Sequence, residues 1–196
     1  MLLALLVVAA AGTAMPTEAA RLADSLGPVR GKVGSWAEYL IRSRGEQDVR
    51  VRLSLIPPAL EEGRCWLELT ALGEQTLPFA ARLLVGSRGG LERAVVYALG
   101  QAPIELPIAE PRAPKSDRQV RERRIGGASV TVPAGIFEAE EVRVGATRVW
   151  RASRVPLWGL VRAEGPRQTV ELTAYGLQGA RSVFPDAHGM GSVSTK

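Results

Sequence analysis

Apolar positions along much of the chain recur at every second residue. Val49, Val51, Leu53 and Leu55 alternate with Arg50, Arg52 and Ser54, a period that puts one set of side chains on a buried face and the other toward solvent. Residues 34–44 precede this run, and the Gly45-Glu46-Gln47-Asp48 spacer makes the two a hairpin, ended by Pro57-Pro58. Glu61-Glu62-Gly63 turns the chain into a further strand over 64–71. Residues 76–85 read differently. Phe79, Leu83 and Leu84 recur at helical spacing, Thr76 is placed to cap and Gly86 to terminate, so a short helix is predicted there. Residues 91–99 are strand-like again, followed by an extended piece at 103–107.

The second half has the grammar of an antiparallel meander. Between residues 129 and 163, strand-like runs are punctuated by Pro133-Ala134-Gly135, a turn at Gly145 and Val155-Pro156-Leu157-Trp158-Gly159. Strands are predicted at 128–132, 136–144, 147–153, 157–163 and 167–175, with a charged edge strand at 118–125 whose arginines discourage edge pairing. The polar, proline-rich stretch 108–117 is read as a long loop within one domain, because each half alone would have a thin core. The expected fold is mainly β: a curved antiparallel sheet or incomplete barrel over residues 27–176, with one or two short helices on its concave face. The second helix is placed at 16–26, stopped by Gly27-Pro28, and a flexible tail at 177–196.

Residues 2–14, LLALLVVAAAGTA, form an unbroken apolar and small-residue run. It falls short of the about 20 apolar residues of a membrane span. Small residues at its end fit leader cleavage after Ala14 or, later, Ala20, although a positive n-region is missing. The expectation is a periplasmic or secreted protein with no transmembrane segment once mature.

Composition narrows the chemistry. With 46% apolar and 5% aromatic residues the chain is ordinary globular protein. Its net charge of +5 is carried by arginine, since Lys32, Lys115 and Lys196 are the only lysines. That balance favours anionic partners, an envelope protein or an anionic membrane surface. The basic residues are spread out rather than striped among stacking aromatics, which argues against nucleic acid. Cys65 and His188 are each the only residue of their kind, so an intrachain disulfide or a His/Cys zinc site cannot form. Neither metal nor cofactor is expected.

Glu138 and Glu140 share one strand face, roughly 6.6 Å apart by the strand rise. They read either as an acid/base pair or as a solvated face matched by Arg143, Arg148 or Arg151. The aromatics offer more. Trp36, Trp66, Phe79, Trp150 and Trp158 either fill the core or line a cleft in a curved sheet. A cleft of that kind binds by burying hydrocarbon, with on the order of 10 kcal/mol available from one acyl chain before costs.

Thr131-Val132-Pro133-Ala134-Gly135-Ile136-Phe137-Glu138-Ala139, with Val149-Trp150-Arg151-Ala152-Ser153 and Val155-Pro156-Leu157-Trp158-Gly159-Leu160-Val161, resembles a pattern of exported bacterial proteins related to the LolA/LolB-like lipoprotein-carrier superfamily. Trp36-Ala37-Glu38-Tyr39 and Cys65-Trp66-Leu67-Glu68 fit the same layout, and the likeness spans roughly residues 33–176. It implies an incomplete, strongly curved antiparallel barrel around a helix, its concave side holding lipid or acyl groups. The reading is then a non-enzymatic exported binder of a lipid, lipoprotein acyl chain or other apolar ligand, lined by Trp36, Trp66, Phe79, Trp150 and Trp158. The alternative is an envelope interaction protein with a filled core and an arginine-rich docking face; an enzyme using Glu138 and Glu140 ranks third. Amino-terminal sequencing of the exported protein is expected to start at Met15 or Arg21. A mature chain that retains Leu2 would refute the leader.

Overall fold

In the computed structural model of the chain, the described residues are 29–56, 64–73, 79–86, 91–98, 102–106 and 123–183. The apolar leader, the helix at 16–26, the proline-rich connection, His188 and the tail beyond 183 lie outside them. Eleven strands follow one another: β1 (Trp36–Ser43), β2 (Val49–Ile56), β3 (Cys65–Leu72), β4 (Phe79–Val85), β5 (Leu91–Ala98), β6 (Ile104–Leu106), β7 (Arg123–Val132), β8 (Gly135–Val144), β9 (Thr147–Arg151), β10 (Leu160–Glu164) and β11 (Gln168–Gly176). They form one antiparallel sheet in the order β6-β5-β4-β3-β2-β1-β11-β10-β9-β8-β7. All neighbours but one are consecutive in sequence; the exception, β1 against β11, joins two meanders into a single sheet. The last strands, β6 and β7, do not pair with each other, so the sheet is not closed into a barrel.

The predicted alternation sets the burial. Ala37, Tyr39 and Ile41 on β1, Val51, Leu53 and Leu55 on β2, and Leu67 and Leu69 on β3 all face inward and join one core cluster with Val130, Phe137, Val149, Val161 and Leu172. The sheet rolls to achieve this. Phe137 on β8 reaches Tyr175 on β11, across the two strands between them, with ring centroids 5.9 Å apart at 57°. The Pro133-Ala134 turn is tied across as well, the Ala134 N–H donating to the Leu172 carbonyl at 3.1 Å. Leu67, Leu157, Val161 and Leu172 show 0% exposure, and Tyr39 and Phe137 1%, so the inner face is filled by the protein's own side chains. The Tyr39 hydroxyl donates to the Leu160 carbonyl at 3.3 Å, which satisfies the one polar atom that this ring carries inside. Burial holds that phenol protonated far beyond its ordinary range.

Three expectations are corrected. The helix at 76–85 is replaced by strand β4. Ala81, Leu83 and Val85 bury on the inner face, yet Ala80 and Leu84 are buried on the other. A strand covered on both sides reads as a continuous apolar run, and its chance spacing of leucines imitates a helix. No helix occurs among the described residues, so none of them supplies one to the concave face. The strands expected at 118–125 and 128–132 are one strand from Arg123, whose register shifts between Arg124 and Gly126; the Gly126-Gly127 pair marks a bulge, not a break. Finally, residues 157–159 precede strand β10 instead of opening it.

That last segment explains the Val-Pro-Leu-Trp-Gly run. Leu157 sits at φ +67° and is fully buried, an arrangement that costs on the order of 1–3 kcal/mol for a residue with a Cβ. Two backbone bonds with Arg30 hold it, N–H to carbonyl at 2.7 and 2.6 Å. Gly159 follows at φ +72°, where a Cβ would lie 2.9 Å from the Ala152 carbonyl oxygen. The motif is therefore a backbone corner that lets the chain reverse between β9 and β10.

Substituting Leu172→Ala should cost about 2–5 kcal/mol in urea unfolding, against about 1 kcal/mol for Tyr39→Phe, which loses one hydrogen bond. Gly159→Ala should also destabilise, by about 1–3 kcal/mol; an unchanged midpoint would contradict the corner geometry.

Candidate functional site

On the outward face, strand register sets five side chains abreast. Trp36 lies opposite Ser54, Ser54 opposite Glu68, Glu68 opposite Arg82 and Arg82 opposite Val95. The chain after β11 turns back over this row. The Ala180 N–H donates to the Gly34 carbonyl at 2.8 Å and the Ser35 hydroxyl to the Leu177 carbonyl at 3.1 Å. The Trp36 indole N–H donates to the Gln178 carbonyl at 3.2 Å. Gly176 gives this crossing its room, since a Cβ there would fall on the Trp36 ring.

The segment ends on Glu68, which is only 1% exposed. Its carboxylate accepts from the Ser182 hydroxyl at 2.6 Å, the Val183 N–H at 2.8 Å and Arg82 Nε at 3.3 Å. A buried carboxylate is tolerable only when paired and hydrogen-bonded, and here three donors share the work. Arg82 in turn donates to the Ser182 hydroxyl at 2.7 Å and lies 5.6 Å from the centre of the Tyr97 ring. With its acceptor positions occupied, Glu68 is a clasp rather than a general base. Residues 177–183, expected to begin a flexible tail, are thus hydrogen-bonded against the sheet. Sequence reasoning passed over Glu68 because its alternation in Trp66-Leu67-Glu68-Leu69 reads as solvent-facing, and its partners at 182 and 183 lie more than a hundred residues away.

The described residues place the sequence-predicted aromatics on several strands and on the corner before β10. Trp36 and Trp66 are half-buried on the outward face, opposite in direction to Tyr39 and Leu67. The Arg52 guanidinium lies 4.7 Å from the Trp36 ring centre while its Nε donates to Glu38 at 2.8 Å. Phe79 opens β4 opposite Ala98. Trp150 pairs in register with Glu141 and Arg162, and Arg148 and Arg162 lie 5.0 and 5.8 Å from its ring. Trp158 is buried in the corner before β10. Trp150 and Trp158 both belong to the core cluster, whereas Trp36 and Trp66 lie half-buried on the outward face.

The carboxylate pair takes the solvated arrangement. Glu138 is exposed opposite Ser129, while Glu140 forms an ion pair with Arg124 of β7 and stands opposite Arg151. No group of three or more acidic, His or Cys side chains placed to hold a metal occurs among the described residues.

Ion pairs of this cross-strand kind recur over the outer surface: Arg42 with Glu171, Arg93 with Glu105, Arg148 with Glu164. The two-pronged hydrogen bonding from Arg93 holds the Glu105 carboxyl below its usual range. Not every arginine follows the pattern. Arg123, Arg143 and Arg148 lie directly abreast across β7, β8 and β9. Arg148 has Glu164 beyond it, but among the described residues no carboxylate forms an ion pair with Arg123 or Arg143.

Comparison with known proteins adds little to this picture. No protein-family model matches the sequence, and no curated protein matches it. Among solved structures, a presumed exported protein with a YmcC-like fold from Bacteroides fragilis is similar at a TM-score of 0.37 and 10% identity, over 76% of this chain and 99% of that one. None of these comparisons links the chain to the LolA/LolB-like carriers.

Glu68→Ala should cost about 3 kcal/mol, at the low end for a broken buried pair because Arg82 keeps some contact with water. Ending the chain after Arg181 should destabilise too, in the same thermal or urea measurement, because Glu68 then loses two donors. Burial raises the Cys65 thiol pKa, so less thiolate is present at neutral pH. Alkylation in the folded protein should therefore run slower than in urea; equal rates would mean an open thiol.

Proposed function

We propose that the chain is an exported docking domain that binds an anionic partner through its outer, arginine-bearing surface, its interior serving only to hold the sheet. The observation that carries this reading is the filled inner face. Tyr39, Leu67, Phe137 and Leu172, all at 1% exposure or less, occupy the space in which an acyl chain would lie. An apolar ligand held in the concave face would have to displace side chains whose burial stabilises the fold. Export is supported by the apolar run at 2–14 and the small residues that follow it.

Charge points the same way. The outer surface is dominated by Arg–Glu pairs, and exposed pairs of that kind contribute little to stability, about 0–1 kcal/mol each. What they do is cancel the field locally. Positive charge then remains concentrated where pairing is incomplete, as at Arg123 and Arg143. A concentrated field steers one partner into one orientation. A flat anionic membrane face would instead favour a broad positive patch, which the ion pairs break up.

The experiment is native mass spectrometry of the protein purified from an envelope fraction without added detergent, alongside thermal unfolding with and without added palmitate. The expected result is the mass of the bare mature chain and a melting temperature that palmitate does not move. A stoichiometric acyl adduct, or stabilisation by palmitate, would return the carrier reading.

A further inference from the structure

The two ends of the sheet are unlike. On one side the terminal strand is β6, only 3 residues long, a length that offers little to a pairing chain. On the other it is β7, 10 residues long, which pairs with β8 along one side and carries no strand on the other among the described residues. Its far half, near Val130 and Val132, packs into the core. Its first five residues, Arg123, Arg124, Ile125, Gly126 and Gly127, are all exposed. A row of backbone N–H and C=O groups at such an edge is a template for a further strand.

Three features of this stretch bear on what would occupy it. A Cβ built on Gly126 or Gly127 would meet nothing within 4 Å, so among the described residues nothing lies over the faces of this stretch. Ile125 stands 52% exposed, an apolar contact next to Arg123 and Arg124. Arg123 lies opposite Arg143, which lies opposite Arg148. Like charges placed directly across strands are destabilising, and the ion pairs found elsewhere on the sheet are not repeated at the first two.

We infer that the exposed half of β7 is a strand-addition site for an extended acidic segment of a protein partner, whose carboxylates would come to lie beside Arg123 and Arg143. The inference rests on the docking reading above and names its partner class. Such a segment meets both needs at once: backbone groups for the open edge and negative charge for the arginine row. A lipid headgroup layer supplies the charge but no ladder. A second copy of this chain brings an edge but also another net charge of +5, so the copies repel.

The probe is a capped peptide alternating valine and glutamate, as long as β7, titrated into isotopically labelled protein at low salt. Amide shifts should concentrate at residues 123–129 and weaken as salt rises. Arg143 is exposed and lies between two arginines, so Arg143→Glu should hold or raise the melting temperature while lowering affinity on the order of tenfold. Methylating alternate backbone nitrogens of the peptide should abolish binding if it adds as a strand. Equal binding by the methylated peptide would overturn the inference, since charge alone would then suffice. So would binding to phosphatidylglycerol vesicles without binding to the peptide, or self-association through β7 that the peptide does not compete. A peptide that fails to bind while native mass spectra stay free of acyl adducts removes the β7 site and leaves the docking reading standing; an acyl adduct removes the docking reading itself.

Discussion

The pairing of β1 with β11 is the constraint on which the rest of the structure depends. Every other ladder closes a short connection between consecutive strands, which costs little chain entropy. Among the ladders between strands, Trp36–Ser43 against Gln168–Gly176 is the one that brings together segments more than a hundred residues apart. Without it, the strands form two meanders, each with one apolar face open to water. With it, Tyr39, Ile41, Val170 and Leu172 become the centre of a single inner face, and Phe137 and Tyr175 can meet across the roll of the sheet.

That ladder also positions what lies outside the core. Because β11 ends beside Trp36, the chain that follows it emerges over the outward face of β1 and β2, within reach of Glu68 on β3. The buried carboxylate is thus a consequence of the join: its donors at Ser182 and Val183 arrive only because Gly176 is placed under the Trp36 ring. Leu157 and Gly159 serve the same end from the other direction. Their left-handed corner presents the Leu157 backbone to Arg30, anchoring the chain just before β1 to the loop just before β10.

The inner and outer faces divide the work. Inside, alternating Val, Leu, Ile and aromatic side chains pack to near-zero exposure and leave the fold's stability to hydrophobic burial. Outside, arginines and glutamates pair across strands, neutralising one another, and Arg123 and Arg143 are among the arginines that have no ion pair within the described residues. A docking function placed on the outer surface leaves the core undisturbed, whereas one placed inside would compete with it.

The period-2 run at 49–56 was enough by itself to specify a strand and its inward side, since alternation is a local property of the chain, and the strands at 64–71 and 136–144 were legible as strands. The hairpin at 45–48 and the turn at Pro133-Ala134 were likewise legible. The strand at 79–85 was not legible, because burial on both faces erases alternation and depends on what covers it. Nor was the burial of Glu68, whose partners are distant in sequence, or the single strand across Gly126-Gly127, where a bulge and a break look alike. The tryptophans could be named but not aimed: Trp36 and Trp66 face outward because register with neighbouring strands decides the side, and register is settled only when the whole sheet assembles. Local patterning thus determined most of the segments that are strands, whereas pairing over long separations decided which faces meet and which charges are buried.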